Sequence, residues 1–585
     1  MEMYEFYTGK LFNAYEYFGC HLSPTGGAVL RVFAPGASKI SVIGDFQWQE
    51  QELNRIYNGQ FWEINIPNAK EGDRYKIRVY TGDGNFIDHC DPYGFGMELR
   101  PQSCSVIRDL KGYRWNDEKW LHKRNDHKKR ALNIYEMHLG SWKRKQDGSF
   151  YSYSEIADEL ISYLNDGGYN YVEFMPLGEH PVDNSWGYQQ TGFYSPTSRY
   201  GTPDQLRELV DKLHQNSIGC ILDFVPVHFA LDDYALAKFD GTFLYEYPNT
   251  DVGNSEWGSH NFMHSRGEVK TYLQSCAYYW INEFHFDGLR MDAISNMIYW
   301  QGNQNRGVNN NAVEFIKYMN NGLKEKFPGI ILAAEDSTSF QKVCSPVSEG
   351  GLGFDYKWDM GWMNDTIKYF NSDPCERPKL YHKLTFSMMY FYSEKFILPL
   401  SHDEVVHGKG TMLNKMYGSE QERFRQLRAF YLYMYAHPGK KLNFMGNEIA
   451  QKREWSEERQ IDLDILGDGN HKSYNEYMKS LCALYNSHSA LWEADFDEDG
   501  FCWIDCHEEE RCIYSFMRSG EKEKLVFVFN FSDKDQEGYK LPLKEKAALE
   551  KLFDTDSTGT TVEYDIEENA ILSIPAYSGC CFTIK

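Results

Sequence analysis

The sequence contains no run of about 18 consecutive apolar residues, the length that a membrane-spanning helix needs. It is also poor in positive charge, with 61 Lys and Arg against 85 Asp and Glu and a formal net charge of −24. This excess repels phosphate backbones and anionic lipids, so no nucleic-acid or membrane partner is expected. Internal repeats and low-complexity segments are missing as well. The acidic residues are spread along the chain and indicate a solubilising surface.

A disulfide framework is also lacking, because the 13 cysteines are odd in number and irregularly spaced. Cys502, Cys506 and His507 lie close together, but the second ligand pair of a structural zinc site is missing, which favours ordinary strand cysteines. The opening MEMYEFYTGK has neither the basic nor the apolar region of a signal peptide. The sequence therefore predicts a cytoplasmic protein with no metal ion and no cofactor.

Aromatic residues are abundant, at 16% of a chain of 585 residues. Such rings stack on the flat apolar faces of sugars, although they also fill hydrophobic cores. The length exceeds what one core usually supports, so two to four domains are expected.

Changes in composition and in the pattern of apolar residues divide the chain into four parts. Residues 1–115 hold β-rich runs between turn residues (AVLRVFAP, KISVIGDF, FWEINIP, RYKIRVY), which predicts an antiparallel β-sandwich. Residues 116–130 are polar and basic, as expected of a linker or a solvated helix. Residues 131–475 alternate short apolar runs with helical stretches, and residues 476–585 return to β alternation, which predicts a C-terminal β-sandwich.

The third part contains eight candidate strands, the number that a closed (β/α)8 barrel requires. They are LNIYEMHL, YVEFMPL, IGCILDFVPV, FDGLRMDA, GIILAAED, FDYKW, FILPLSHD and KLNFMGNE. Helical segments lie between them, for example 202–215, where Thr202 is a capping residue and Pro203 lies in the first turn. The predicted architecture is a central TIM barrel with an antiparallel β domain on each side.

Polar side chains follow several of these strands. They are Asp223, His228, Arg290, Asp292, Glu335, His402, Asp403 and Glu404. Because the carboxyl ends of barrel strands converge on one mouth, these groups are expected to meet there. Carboxylates without clustered Cys or His ligands could form either a metal site or a glycosidic site, but a guanidinium among them would repel a cation.

Two of the carboxylates have opposite surroundings. Arg290 and Asp292 lie two apart on a strand and share a face, so the guanidinium should lower the pKa of Asp292 and keep this nucleophile candidate ionised. Glu335 ends the apolar run IILAAED, where desolvation should retain the proton of a general acid. Asp336 points the other way and is the weaker candidate. Retention at the anomeric carbon needs the two groups roughly 5 Å apart, which sequence spacing cannot supply.

The chain resembles glycoside hydrolase family 13, the α-amylase superfamily. Four segments match its signature regions in order and spacing: DFVPVH (223–228), GLRMDAI (288–294), AAED (333–336) and LSHDE (400–404). The flanking text is similar to glycogen branching enzymes in YEMHLGSW (135–142), WGYQQTGFYSPTSRYGTP (186–203) and HDEVVHGKG (402–410). FAPGASKISVIGDFQW also resembles the β-module that precedes their barrel. Its shortened turn DFQWQ leaves two roles open for this module, glucan binding or packing against the barrel.

The resemblance implies a role for each matching residue. Asp292 would be the nucleophile, Glu335 the general acid and base, and Asp403 a third carboxylate that grips the sugar. The implied substrate-binding residues are Tyr188, Asp223, His228, Arg290 and His402. The implied reaction cuts an α-1,4-glucan and rejoins it through an α-1,6 bond, with amylose or glycogen as donor and acceptor. The alternative on the same scaffold is an α-glucan hydrolase of the debranching or trehalohydrolase type. The sequence does not indicate the oligomeric state.

Overall fold

The computed structural model describes residues 2–556 and 559–584. At its centre, eight parallel strands close into a barrel in which each strand pairs with the next and the last pairs with the first. The strands are β1 (Asn133–Met137), β2 (Tyr171–Phe174), β3 (Gly219–Phe224), β4 (Gly288–Met291), β5 (Ile331–Ala334), β6 (Tyr356–Trp358), β7 (Phe396–Leu400) and β8 (Lys440–Phe444). The predicted barrel is confirmed. Seven strands fall within the predicted apolar runs, and β8 begins at Lys440, one residue before the run KLNFMGNE.

Every residue of these eight strands is buried, as expected of a parallel sheet with helices outside and side chains inside. Ile134, Ile221, Ile331 and Leu442 belong to a separate hydrophobic cluster within the barrel. The lumen is therefore a packed core, and an active site has to lie at its rim.

Seven α-helices of 12 to 19 residues surround the strands. They are α1 (Tyr153–Gly167), α2 (Pro203–Gln215), α3 (Gly267–Phe284), α4 (Asn310–Lys326), α5 (Met360–Asn371), α6 (Glu420–Ala436) and α7 (Gly469–Ser487). Thr202 caps α2 in a capping box with Gln205, as the sequence predicts. Helix α7 contains residue 475, the predicted domain boundary, and packs against α6.

One helix of the ideal (β/α)8 pattern is missing. Between β5 and β6, where every residue is described, the one regular element is the short 3-10 turn Val347–Glu349. The chain therefore crosses this part of the barrel mouth as a loop.

The N-terminal part is an antiparallel sandwich, as predicted. One sheet contains Gly19–Leu22, Ala28–Phe33, Phe61–Ile66 and Asn54–Ile56, and the other contains Gln47–Glu52, Lys39–Gly44, Arg74–Tyr80, Phe86–His89 and Ser105–Val106. It packs on the barrel, since Gly36 N donates to Asp240 Oδ2 at 2.6 Å and Cys90 N to the Tyr234 carbonyl at 2.7 Å. Packing is therefore observed. The glucan-binding alternative concerns the turn DFQWQ (45–49), in which the side chain of Trp48 lies outside the described part.

The segment 116–130, expected to be a linker or a solvated helix, joins the N-terminal sandwich to the barrel. Its regular elements are the helix Glu118–Leu121 and the 3-10 turn Arg124–Lys129. Trp120 Nε1 donates to Asp287 Oδ1 at 2.8 Å, and buried His127 bonds the hydroxyl of Tyr356 at 3.0 Å. Most of the described residues of this segment are exposed, as expected of a solvated segment, while Trp120 and His127 pack against the amino end of the barrel.

The C-terminal part is also built from antiparallel strands, as predicted. The larger sheet contains Phe501–Glu508, Ile513–Ser519, Lys524–Asn530, Ser578–Ile584 and Leu549–Asp554, and the smaller contains Gln536–Lys540, Ala570–Ile574 and Thr561–Tyr564. All 13 cysteines are free thiols. Among the described helices, none has both the length and the apolar character needed to cross a membrane.

Candidate active site

Arg290 is the centre of the polar cluster at the carboxyl end of the barrel. It lies on β4, and its Nη1 is 2.7 Å from Asp223 Oδ2 and 2.8 Å from Asp292 Oδ1. Its Nη2 is 3.7 Å from Glu335 Oε2. The same guanidinium lies over the indole of Trp358, 4.3 Å from the ring centre, which fixes its plane. One cation thus brings together carboxylates from the ends of three neighbouring strands.

The two predicted catalytic carboxylates are each held by one oxygen. Arg290 binds Oδ1 of Asp292, and Ala293 N donates to Oε2 of Glu335 at 2.7 Å. Ala293 has φ 47°, a left-handed conformation that costs a residue with a β-carbon energy and is common at functional sites. Asp292 Oδ2 and Glu335 Oε1 remain for substrate. Sharing one guanidinium is consistent with the roughly 5 Å spacing of retaining enzymes.

Burial separates the proton affinities of this pair, although in one respect the sequence argument is wrong. Desolvation raises the pKa of Asp292 to about 6, because the opposing attraction of Arg290 is the smaller effect. Desolvation likewise raises the pKa of Glu335 to about 7, as expected from its apolar surroundings. The predicted lowering of the Asp292 pKa is therefore incorrect. The predicted order of the two pKa values is nevertheless retained, because Asp292 has the lower pKa and ionises more readily than Glu335.

Asp336, the weaker candidate, takes no part in this pair. Its Oδ2 accepts from Lys357 Nζ at 2.9 Å, and its Oδ1 accepts from Thr338 N at 3.0 Å. Strand alternation turns it away from Glu335, as predicted.

His402 depends on a partner that the sequence argument did not identify. Its Nδ1 donates to Glu136 Oε1 at 2.6 Å, and its backbone N donates to Glu136 Oε2 at 2.9 Å. Burial alone would lower the pKa of His402, but this carboxylate outweighs burial and raises the pKa to about 9. His402 is therefore an imidazolium at neutral pH. Glu136 is the second residue of the motif YEMHLGSW (135–142), which resembles the same family, but the sequence argument assigned no role to it.

Asp403 lies at the open edge of the pocket, with 56% of its side chain exposed and Oδ1 3.8 Å from His402 Nε2. Burial would raise its pKa, but the positive charges of His402 and Lys409 outweigh burial and lower it. Asp403 is therefore an ionised carboxylate that faces solvent, where it can accept hydrogen bonds from sugar hydroxyls.

Tyr188 and Asp223 lie below the pair. The Tyr188 hydroxyl donates to Asp223 Oδ2 at 2.5 Å, and its ring is stacked on His402 with the ring centres 5.7 Å apart. Asp223 is buried and both of its oxygens accept from Arg290 at 2.7 Å. Tyr188 thus has its ring against His402 and its hydroxyl on Asp223, and Asp223 is positioned to orient Arg290.

His228 lies outside this hydrogen-bonded network. Burial lowers its pKa to about 4, so the ring is neutral at physiological pH. It packs against Trp257, with the ring centres 5.2 Å apart, and the Trp257 carbonyl accepts from Gln189, the residue after Tyr188. Trp257 is 44% exposed and belongs to the irregular segment 229–267 that the sequence places over the barrel mouth. The sequence argument did not single out this indole.

Glu173 on β2 is a buried carboxyl that the described residues leave without a partner for either oxygen. It pairs across the sheet with Glu136. Burial, followed by repulsion from Glu136 and Asp223, raises its pKa well above the usual value. Glu173 is therefore a neutral acid beneath the charged layer of the site.

One group in the described part has the spacing of metal ligands, and it lies at the opposite end of the barrel. It consists of His214, Cys220 and Asp287. His214 already donates to Asp117 at 2.8 Å and to Asp287 at 2.9 Å, so both ring nitrogens are occupied by carboxylates. This arrangement is a buried ion pair, and it offers no free imidazole nitrogen to a metal.

Comparisons with known proteins agree with this arrangement. Residues 17–94 match carbohydrate-binding module 48 (isoamylase N-terminal domain), residues 154–240 match the α-amylase catalytic domain, and residues 503–585 match the α-amylase C-terminal all-β domain. A protein of Fusobacterium nucleatum subsp. nucleatum, 1,4-alpha-glucan branching enzyme GlgB, is 46% identical over 93% of this chain and 90% of its own length. The chain belongs to the 1,4-α-glucan branching enzyme family.

Other branching enzymes are similarly close. The GlgB proteins of Bacillus caldolyticus and Geobacillus stearothermophilus are 45% and 44% identical, over 95% of this chain and 85% and 89% of their own lengths. Among solved structures, a putative α-amylase from Salmonella typhimurium has a TM-score of 0.73 at 18% identity, covering 97% of this chain and 100% of that one. A pullulanase from Bacillus acidopullulyticus has a TM-score of 0.73 at 17% identity, covering 97% and 74%. These distant structures support the fold, and the closer relatives support membership among the branching enzymes.

Proposed function

We propose that this branching enzyme cuts α-1,4-glucan chains at Asp292 and Glu335 and rejoins them through α-1,6 bonds. The observation that carries the proposal is the carboxylate pair on one guanidinium, at 2.8 Å and 3.7 Å, with a pKa of about 6 for Asp292 and about 7 for Glu335. Near neutral pH this pair supplies a nucleophile and a proton donor together.

In the first step, an Asp292 oxygen attacks C1 of an α-1,4-linked glucose. The bond from C1 to the leaving oxygen breaks, and Glu335 gives its proton to that oxygen. The product is a β-linked glycosyl ester on Asp292 and a shortened chain with a free 4-hydroxyl. Oδ2 is the natural attacking atom, because Oδ1 is bound by Arg290.

In the second step, the 6-hydroxyl of an acceptor chain gives its proton to Glu335 and its oxygen displaces Asp292 from C1. Esterification removes the negative charge of Asp292, which is one of the causes that raise the pKa of Glu335. Glu335 therefore becomes more readily ionised when it has to act as a base. Two inversions at C1 retain the α configuration.

The other predicted residues hold the reacting sugar. The imidazolium of His402, the exposed carboxylate of Asp403 and the neutral ring of His228 are suited to bonding hydroxyls, and Tyr188 offers a ring face. Asp223 is a positioning residue in this proposal, because its oxygens are occupied by Arg290. No step requires a metal ion or cofactor.

We also infer the setting of the reaction. The donor and acceptor are α-glucans such as amylose and glycogen, which suits a chain with a carbohydrate-binding-type module at residues 17–94. Thirteen free thiols favour the reducing cytoplasm. The net charge of −24 disfavours nucleic acid and anionic membranes. The oligomeric state is left open, and a monomer satisfies the proposed chemistry.

The test is to incubate purified protein with amylose while following iodine colour and reducing ends, and then to digest the product with an α-1,6-specific debranching enzyme. Branching is expected to lower the colour with few new reducing ends, and debranching should release short chains. Reducing ends that rise in step with colour loss would instead identify a hydrolase.

Two variants test the residue roles. Asp292→Ala and Glu335→Gln should remove nearly all activity, and Glu335→Gln should still be glycosylated by α-glucosyl fluoride, whose leaving group needs no proton. Asp464→Ala, at an exposed carboxylate in a 3-10 turn, is the matched control and should keep full activity. Normal branching by folded Asp292→Ala would refute the assignment.

A further inference from the structure

A cavity lies where the N-terminal segment meets helices α3 and α4, outside the ring of barrel strands. Its volume is about 340 Å³, near the lower end of the ~300–1,000 Å³ of ligand pockets. Its lining comes from residues 8–10, Lys270 of α3, Val347, and positions 314, 315, 317, 318 and 321 of α4. None of the predicted catalytic or substrate-binding residues lines it, so it has no part in the proposed reaction.

Three lysines from three separate segments line this cavity: Lys10, Lys270 and Lys317. Among the lining residues, Glu314 is the one acidic side chain, and its Oε1 is 3.0 Å from Lys317 Nζ. The lining therefore has an excess of positive charge, although the whole chain carries −24. A concave surface with such an excess attracts small anions.

Lys270 is the least compensated of these charges. Its side chain is half-buried, and its ammonium forms no hydrogen bond or ion pair of normal length with any described residue. Burial lowers the pKa of Lys270, because the attraction of Glu314 is the smaller effect. Lys270 is also the fourth residue of α3, close to the positive end of the helix dipole. Glu268, the acidic residue of that first turn, does not line the cavity. An anion in the cavity would relieve the cost of this unpaired charge.

Close packing of the N-terminal segment brings the lysines together. Gly9, with φ 72°, ends the short helix Met3–Thr8, and a β-carbon there would lie 2.7 Å from Lys270 Cβ. Glycine therefore lets the segment lie directly on the stem of Lys270. The segment is held further by Thr271, whose hydroxyl donates to the Phe6 carbonyl at 2.9 Å. The position of Lys10 beside Lys270 is thus fixed by the fold.

Tyr318 adds an aromatic ring beside the lysines. It is 41% exposed, and it is stacked on Phe12 with the ring centres 5.9 Å apart. Its hydroxyl donates to the Lys10 carbonyl at 3.4 Å. The uncovered part of the ring offers an apolar surface of the kind that packs on a sugar. Positive charge next to an aromatic surface suits a ligand with a phosphate group and a ring.

We propose that this cavity binds a phosphate dianion, either free or as the monoester of a small sugar. Lys10 and Lys270 donate charge-assisted hydrogen bonds to the phosphate oxygens, and Tyr318 packs on the sugar of an ester. Bound phosphate joins the N-terminal segment to α3 and α4 and so holds this segment on the helices. The site is separate from the catalytic pair, and its test needs no branching activity.

The test measures binding of inorganic phosphate and of glucose 6-phosphate by isothermal titration calorimetry, at neutral pH and constant ionic strength. Lys270→Gln and Lys10→Gln each remove one positive charge, the second from an exposed position where folding should be unaffected. Lys472→Gln, at an exposed position of α7, removes the same charge elsewhere and is the matched control. Amide hydrogen exchange of residues 3–10, without and with phosphate, reports whether the segment is held.

If the proposal is right, each lysine variant binds at least about tenfold more weakly than the parent, as expected for the loss of one charged hydrogen bond, and the control binds like the parent. Phosphate should slow amide exchange of residues 3–10 in the parent but not in Lys270→Gln. Tighter binding of glucose 6-phosphate would identify a sugar ester as the ligand, and the reverse order would identify free phosphate. Two results would overturn the inference: no saturable binding by the parent up to about 10 mM anion, or affinities that are unchanged in both lysine variants.

Discussion

The ion pair between Glu136 and His402 gives the sharpest prediction, because it links a residue with no assigned role to the charge of the pocket. Glu136→Gln keeps the shape of the side chain and removes the charge. The partners are 2.6 Å apart, with 1% and 5% of their side chains exposed, so solvent screening is weak. The rise of the His402 pKa from 6.5 to about 9 corresponds to about 3 kcal/mol. Most of this stabilisation should be lost in Glu136→Gln.

The sign of the pH dependence follows from the raised pKa. In the folded parent, His402 binds its proton more tightly than in the unfolded chain. The ion pair therefore stabilises fully below the unfolded value of 6.5 and loses its effect as the pH rises through about 9. The melting temperature of Glu136→Gln should lie several degrees below that of the parent at about pH 6, and the gap should close toward about pH 9.

Activity should follow the same charge. Without Glu136, burial keeps the imidazole neutral at pH 7, and Asp292 loses a positive neighbour that lowers its pKa. The acid limb of the branching rate should move to higher pH, and the rate near pH 7 should fall by about tenfold to a hundredfold, the equivalent of about 1.4 to 2.8 kcal/mol.

The assays are branching of amylose and thermal unfolding, each across the same pH series. Glu448→Gln is the control, because Glu448 is equally buried but accepts hydrogen bonds from the hydroxyls of Tyr135 at 2.8 Å and Tyr163 at 2.5 Å. It should not shift the acid limb. If Glu136→Gln branches like the parent across the series and its melting gap is independent of pH, the reasoning fails.

Three further predictions concern other carboxylates and one indole. The parent's branching rate should be bell-shaped in pH, with limbs near 6 and 7 set by Asp292 and Glu335 together; a flat profile between about pH 5 and 9 would contradict the pair's assignment. The melting temperature of Glu173→Gln should rise relative to that of the parent as the pH increases from about 5 to about 8. In the parent, Glu173 stays protonated when folded but ionises when unfolded, which lowers the folding stability by about 1.4 kcal/mol per pH unit. A difference in melting temperature that is independent of pH would disprove a neutral Glu173. Trp257→Ala should raise the KM for amylose about fivefold with little change in kcat, and Trp257→Phe should recover most of it; equal KM values in all three proteins would exclude stacking beside His228.

Several structural features were accessible from the sequence because they depend on local order. The eight apolar runs matched the barrel strands, since a buried parallel strand needs apolar side chains along its whole length. Thr202 and Pro203 predicted the start of α2, because a cap satisfies free backbone amides within a few residues. The polar endings of β3, β4, β5 and β7 indicated the mouth, where the parallel direction of the strands brings their ends together.

Other features depended on distance and burial, which sequence spacing does not contain. The sequence placed Arg290 beside Asp292 but could not weigh its attraction against desolvation, and the pKa of Asp292 rose. Glu136 and His402 are separated by 266 residues, so only the fold reveals their contact. The polar segment 116–130 was expected to be solvated, yet Trp120 reaches Asp287 across 167 residues.

The sequence by itself determined the barrel, the two flanking β domains and the identity of the carboxylates that meet at its mouth. Tertiary structure alone decided which carboxylate oxygens are held by Arg290 and Ala293, and which groups carry charge. The physical reason is that strand formation is governed by the pattern of neighbouring side chains. Protonation and cavity shape are governed by the dielectric surroundings and atomic distances that exist only after distant segments have packed together.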